Sequence, residues 1–266
     1  MRSAFLFGLI LAIRMAITAA LVIVASVAAE VFGPLIGAMI ATLPISAGPT
    51  YIFLALDHIA AFIAASALAS LVVNAANIAF CAAYTVTAPS RGLAASLATA
   101  VATWLGFALL GRAVPWSVPA SAALNVAVRA ICPPFGRRFC GRAMPVTVRR
   151  WYDMPFRAAM VATLVATVVA VSTRVGPTVT GILALYPIVL TTLVLIFHAR
   201  VGGPATATLT ANAIPGLGGY GVALLVLSRA AVPAGMAAAL AVALAVSIGW
   251  NLAIIGLRRR GPSSPA

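Results

Sequence analysis

Residues 33–49 read GPLIGAMIATLPISAGP, and residues 176–188 read GPTVTGILALYPI. In both stretches a Gly-Pro pair is followed, ten residues after its proline, by a second proline, Pro44 or Pro187. Proline suits the first turn of a helix, because its missing N–H is not needed there. Further along, it removes a backbone hydrogen bond and interrupts the helix. The pattern therefore predicts two helices that begin at a Gly-Pro pair and break near their middle.

The composition surrounding these stretches is that of a membrane protein. The 266 residues are 64% hydrophobic and 8% charged, with a mean hydropathy of +1.14. Soluble domains contain about 45–50% apolar and about 25% charged residues. We therefore expect an all-α integral membrane protein, a polytopic helical bundle that has the lipid bilayer as its partner.

Eight segments are long and apolar enough to cross a bilayer, which takes about 20 residues. They are 5–29, 34–56, 59–87, 93–111, 156–173, 177–198, 203–228 and 231–257.

A ninth segment, 114–132, carries polar residues four positions apart, at Ser117, Ser121, Asn125 and Arg129. This spacing places them on one face of a helix. The segment either lies in the membrane interface or spans the membrane with its polar face toward the bundle. The sequence thus predicts eight or nine transmembrane helices.

The chain also carries an internal duplication. A shift of 143 positions aligns residues 14–45 with 157–188 without a gap, and it places Arg14 on Arg157. Asn74 and Asn212, and then His58 and His198, follow at similar offsets. We predict two four-helix units, 5–112 and 156–258, separated by an amphipathic and basic insert, 113–155. Eight helices would make the units parallel, and nine would make them inverted.

The charge distribution indicates how the chain is oriented. All 17 basic residues are arginines, and the formal net charge is +14. The arginines cluster at segment ends, in the loop 133–157 and at the C-terminus. The positive-inside rule assigns the loop and the C-terminus to the cytoplasm. The arginine and alanine bias is typical of a bacterial genome, so we expect the inner (plasma) membrane. The orientation of the chain in the membrane explains the positions of these arginines better than binding to nucleic acid does, so no nucleic-acid partner is predicted.

Little material for catalysis is present. The acidic residues are Glu30, Asp57 and Asp153, and the cysteine spacings fit no zinc site. We predict no metal, no cofactor and no enzymatic activity.

The candidate functional residues follow the duplication. Broken helices at membrane depth lie against protein or a water-lined cavity, and duplicated transporters hold substrate between such helices. We predict a substrate site from the two prolines, the asparagines of the third helices and one intramembrane arginine. The histidines titrate near neutral pH, which suits coupling to protons. The substrate-site residues are Pro44, Pro187, Asn74, Asn77, Asn212 and Arg14, and the proton-coupling residues are His58 and His198.

These features predict a small-solute secondary transporter or permease with its pathway between the two repeats. The alternative is a non-transporting scaffold or subunit of a larger membrane complex, and a membrane enzyme acting on lipid ranks third. Besides the solute, a homo-oligomer or a membrane partner is expected.

Overall fold

The computed structural model describes residues 2–31, 47–132 and 150–260. Within these ranges the chain forms helices and no strand. The helices are α1 (Arg2–Val31), α2 (Ala47–Asp57), α3 (Ala60–Thr87), α4 (Leu93–Ala113), α5 (Val118–Ile131), α6 (Asp153–Ala184), α7 (Ile188–Ala230) and α8 (Met236–Arg260).

Three breaks divide the stretch that α6 and α7 form. Gly176 and Gly202 have φ angles of 73° and 78°, a conformation that is cheap only for glycine. Between them the helix is interrupted from Leu185 to Pro187. The segments on either side, 177–184 and 188–201, have lengths of about 12 and 21 Å. Neither alone crosses a hydrocarbon core of about 30 Å, and we call residues 177–201 the broken helix.

The predicted start at Gly176-Pro177 and the predicted break at Pro187 are therefore both present. Pro187 occupies the N-cap of α7, just before its first residue, Ile188. The corresponding start at Gly33-Pro34 and break at Pro44 lie outside the described residues.

The helices are those of a multi-pass membrane-type protein. Large apolar side chains such as Leu109 and Val126 are exposed on its surface, as lipid contact requires. In the described part of the chain, five stretches are long and apolar enough to span a membrane. They are Gly8–Ala25, Ala60–Thr87, Leu93–Ala113, Asp153–Ala230 and Met236–Ile254.

Helix α3 forms the centre of the bundle. In its most apolar window 72% of the residues are buried, against 11% in α1 and 22% in α8. It packs on α4, α5, α6 and α7, and its Leu71, Ile78 and Phe80 are fully buried. The other helices are therefore arranged around α3, and α1 packs mainly on α6 at the periphery.

Two glycines, one in the broken helix and one in the segment that follows it, allow close approach to the backbone of α3. A Cβ at Gly181 would overlap the carbonyl oxygen of Ser66, and one at Gly203 would overlap that of Ala88. Small residues permit this backbone-to-backbone packing of membrane helices. The two contacts hold the first half of the broken helix and the start of the following segment against α3.

We expect Gly181→Ala and Gly203→Ala to destabilise the protein by about 1–3 kcal/mol, because a backbone carbonyl cannot move aside without shifting a helix. In a chain of this size, that loss lowers the midpoint of thermal unfolding by about 2–12 °C. The control is Gly106→Ala, because Gly106 is exposed and a Cβ there meets nothing within 4 Å. Equal midpoints for all three variants in the same detergent would contradict the close packing.

Candidate functional site

Side chains on one face of α3 donate hydrogen bonds to the backbone of the broken helix. A break leaves carbonyl groups without their helical partners, and in a membrane these must be satisfied by protein or by water. Positions 66, 70 and 77 lie on one face of a helix. The bonds run from Ser66 Oγ to Pro177 O (3.1 Å), from Ser70 Oγ to Gly181 O (2.7 Å) and from Asn77 Nδ2 to Leu185 O (3.2 Å).

Asn77 lies at the break itself and joins three helices. Its Nδ2 donates to Leu185 O, and its Oδ1 accepts a 3.0 Å hydrogen bond from Trp104 Nε1 on α4. The Trp104 ring packs edge-on against Tyr186, with 5.1 Å between the ring centroids. The amide and the indole together hold the non-helical residues 185–187 in place.

Asn74 contacts α7 close to Pro215, a proline inside that helix. Its Nδ2 donates to Asn125 Oδ1 (2.9 Å) and to Leu217 O (3.0 Å). Asn125 Nδ2 donates in turn to Leu71 O on α3, at 2.7 Å. Asn74 Oδ1 is buried and has no hydrogen-bond partner among the described residues. Asn74 and Asn77, three residues apart, thus contact two different segments, α7 beside Pro215 and the break at residues 185–187.

The carbonyls around Pro215 in α7 are bound by an arginine and a tryptophan. Arg129 Nη1 donates to Ile214 O (3.1 Å), and Trp250 Nε1 donates to Pro215 O (3.1 Å). The Arg129 guanidinium lies 5.8 Å from the centroid of the Trp250 ring. The polar face of α5 is therefore directed into the bundle, one of the two arrangements predicted for 114–132. Sequence reasoning omitted Arg129 and Asn125 from the site, although their four-residue spacing was visible.

Arg14 forms an ion pair that fixes α1 to the end of α2. Its guanidinium makes two parallel hydrogen bonds to the Asp57 carboxylate, one of them 2.7 Å from Nη2 to Oδ1. Arg200 binds Asp153 in the same two-point manner, with 2.6 Å from Nη1 to Oδ2. Arg14 is thus engaged by a carboxylate of the chain itself, and its role in binding a solute stays a prediction.

The two histidines lie in different surroundings. His58 Nε2 is hydrogen-bonded to Ser172 Oγ at 2.7 Å, and its ring stacks on Phe62. His198 Nδ1 is 2.5 Å from the Tyr84 hydroxyl on α3. Burial lowers the pKa of His58, and the neighbouring Asp57 carboxylate opposes part of that shift.

The remaining predicted site residues are not joined to these contacts. Asn212 is half-buried, and its Nδ2 donates to Thr208 O one turn earlier in its own helix. Asn212 and Asn74 match in the alignment, but they make different contacts. Pro44 lies outside the described residues. Within the described ranges, no group of histidine, cysteine or acidic side chains could hold a metal ion.

The chain matches no protein-family model, no curated protein and no solved structure. Its function is therefore argued from the geometry of the broken helix, the buried amides and the ion pairs.

We expect Asn77→Ala to destabilise the protein by about 1–3 kcal/mol, because interhelical hydrogen bonds in membranes contribute about 0.6–1.7 kcal/mol each and Asn77 makes two. Asn212→Ala removes a bond within one helix and serves as the control, with an expected loss below about 0.5 kcal/mol. Denaturant unfolding in mixed micelles measures both. In a double-mutant cycle, the losses of stability from Asn77→Ala and Trp104→Phe should be coupled. Additive losses would argue against the hydrogen bond between these two side chains.

The pKa of His58 predicts a pH dependence of stability. Because burial lowers this pKa, folding favours the neutral ring, and its contribution is present above the unfolded value of about 6.5 and is lost as the pH falls. We expect the midpoint of unfolding to fall between pH 7.5 and pH 5.5. His58→Gln, which keeps a hydrogen-bonding group near Ser172, should reduce that fall. Identical pH profiles for the two proteins would contradict the assignment.

Proposed function

We propose that this protein is a secondary transporter or permease for a small solute, with its pathway beside the broken helix. The observation that carries the proposal is the interruption at residues 185–187, inside an apolar bundle and against the buried Asn77 and Trp104. A chain that only anchors or scaffolds has no need of such a break, which costs backbone hydrogen bonds. Transporters use broken helices because the break supplies polar groups and a hinge at the same place.

The second half of the broken helix supports a pathway there. Thr191, in its first turn, is buried, and its hydroxyl has no partner among the described residues. This hydroxyl has almost no accessible surface in the present arrangement, so a solute or water would reach it when the segments on either side of the break move apart. We propose that it then forms part of the polar lining of the pathway.

The two ion pairs support the proposed duplication. In the proposed first unit, 5–112, Arg14 of the first helix binds Asp57 at the end of α2. In the second, 156–258 with its helix starting at Asp153, that aspartate binds Arg200 near the end of the broken helix. The two pairs are similar in place, because each joins the first helix of a unit to the end of the second, although Arg14 aligns with Arg157 and not with Asp153.

For a pathway to open between the two units, each unit would move as one body, so its first helix must stay attached to the end of its second helix. The ion pairs would provide that attachment in both units. Ser66 near the start of α3 bonds to Pro177, and Tyr84 near its end bonds to His198, so α3 runs in the same direction as the broken helix. This supports inverted units. We therefore propose nine transmembrane helices in the inner membrane, α5 among them, with the C-terminus and residues 133–157 on the cytoplasmic side.

The test needs no knowledge of the solute. In a background with Cys81, Cys132 and Cys140 replaced by alanine, Thr191→Cys places a thiol in the proposed pathway with little change of shape. A charged, membrane-impermeant methanethiosulfonate is then added to right-side-out and to inside-out vesicles. A transporter that opens to each side in turn should react from both sides.

The matched control is Leu105→Cys, because Leu105 is exposed on the apolar surface of α4 and a charged reagent does not reach it through lipid. Size-exclusion chromatography verifies that both variants are folded. Reaction of the Thr191→Cys variant from one side only, or from neither, would contradict transport and favour the scaffold.

A further inference from the structure

A cavity of about 250 Å³ lies between α2, α7 and α8. Its walls come from all three helices, and they include Gly48 and Tyr51, Tyr220 and Leu224, and Leu240 and Leu244. An engineered cavity of about 150 Å³ binds benzene, so this one has room for about ten non-hydrogen atoms in proportion. The space is therefore of the size of a compact organic molecule.

The chemistry of the walls excludes a charged occupant. The described residues that line the cavity are glycine, alanine, leucine, isoleucine and two tyrosines, and none is charged. An ion transferred into such surroundings without a counter-charge pays a large desolvation cost. A single water is also poorly held, because it needs two to four polar partners. The walls fit an uncharged and mainly apolar molecule.

The two tyrosines line the cavity with their rings. Ser70 donates its only proton to Gly181 O, so in its 2.7 Å contact with Ser70 Oγ the Tyr51 hydroxyl is the donor. The Tyr220 hydroxyl is buried with almost no accessible surface, so it is not presented to the cavity. The walls therefore offer a ligand apolar contact and no hydrogen bond.

The cavity is connected to the broken helix. The hydrogen bonds from Tyr51 to Ser70 and from Ser70 to Gly181 O run from its wall to the first half of that helix. A molecule that displaces the Tyr51 ring therefore changes a contact of the broken helix through one intermediate side chain.

Resting on the transport function proposed above, we infer that this cavity is the solute site and that the solute is a compact, uncharged, apolar molecule. Its carbon skeleton occupies the space among α2, α7 and α8. Tyr51 links occupancy to the position of the broken helix.

The test uses fluorine NMR of the protein in lipid nanodiscs with fluorobenzene, 4-fluorophenol and 4-fluorobenzoate. Empty nanodiscs show the signal of probe dissolved in lipid. We expect a separate protein-bound signal for the two neutral probes and none for the charged one. A cavity already filled by a lipid chain gives no bound signal for any probe, and that result would overturn the inference.

Two variants locate the binding. Gly48 lines the cavity and a Cβ there meets nothing within 4 Å, so the side chain of Gly48→Leu extends into this space and should weaken binding of both neutral probes at least tenfold. Gly106→Leu, on the exposed face of α4, is the matched control and should bind as the wild type does. Unchanged binding in the Gly48→Leu variant would refute this location.

The two proposals fail separately. If Gly48→Leu abolishes probe binding but the Thr191→Cys variant does not react from both sides, the ligand site is supported and the transport function is contradicted. If the Thr191→Cys variant reacts from both sides but no neutral probe binds, the transport function is supported and this class of solute is contradicted.

Discussion

A backbone carbonyl without a hydrogen bond is expensive inside hydrocarbon, where it costs several kcal/mol, and a helix that breaks there must find donors in its neighbours. In this protein the donors for the broken helix are side chains of α3. Ser66, Ser70 and Asn77 lie on one face of α3 and bind the carbonyls of Pro177, Gly181 and Leu185, one on each successive turn. The carbonyls of Gly181 and Leu185 lie in the last turn before the break and at the break itself, so α3 supplies donors where the helix lacks them.

The same requirement explains the small residues around α3. A serine hydroxyl reaches a carbonyl of the next helix only when the two backbones are close, and Gly181 provides that closeness directly beside Ser66 and Ser70. Side chains also donate hydrogen bonds to carbonyls beside Pro215, a proline inside α7. There the long side chains of Arg129 and Trp250 supply the donors from α5 and α8. The polar residues of the bundle thus largely pair with backbone groups.

The two ion pairs add a constraint on the ends of the helices. Both are bidentate, and their side chains are 10–31% exposed, so the charges are partly desolvated and neither partner can be removed at low cost. They use two of the three acidic residues of the chain. In a chain with 17 arginines, these two carboxylates bind Arg14 and Arg200, whereas Arg129 is bound by backbone carbonyls.

Local chemistry could be predicted from the sequence, and tertiary neighbours could not. Gly176, Pro177 and Pro187 act on their own backbone, so their spacing correctly predicted where the helix begins and breaks. Asn74 and Asn212 looked equivalent, yet one bonds across helices and the other within its own. Which side chain reaches which carbonyl depends on helix rotation and separation, and helical periodicity specifies neither.

The cavity suggests how a neutral solute could act on the broken helix. A ligand shifts a conformational equilibrium only by the difference in its affinity for the two states. Apolar contact alone, roughly 25 cal/mol per Å² of buried surface, would stabilise any state that keeps the space closed around the solute. The hydrogen bonds from Tyr51 to Ser70 and from Ser70 to Gly181 O would give the solute different affinities for the two states. They connect the cavity wall to one position of the first half of the broken helix. A solute that fits only when Tyr51 is bonded to Ser70 stabilises this arrangement, and its departure removes that preference.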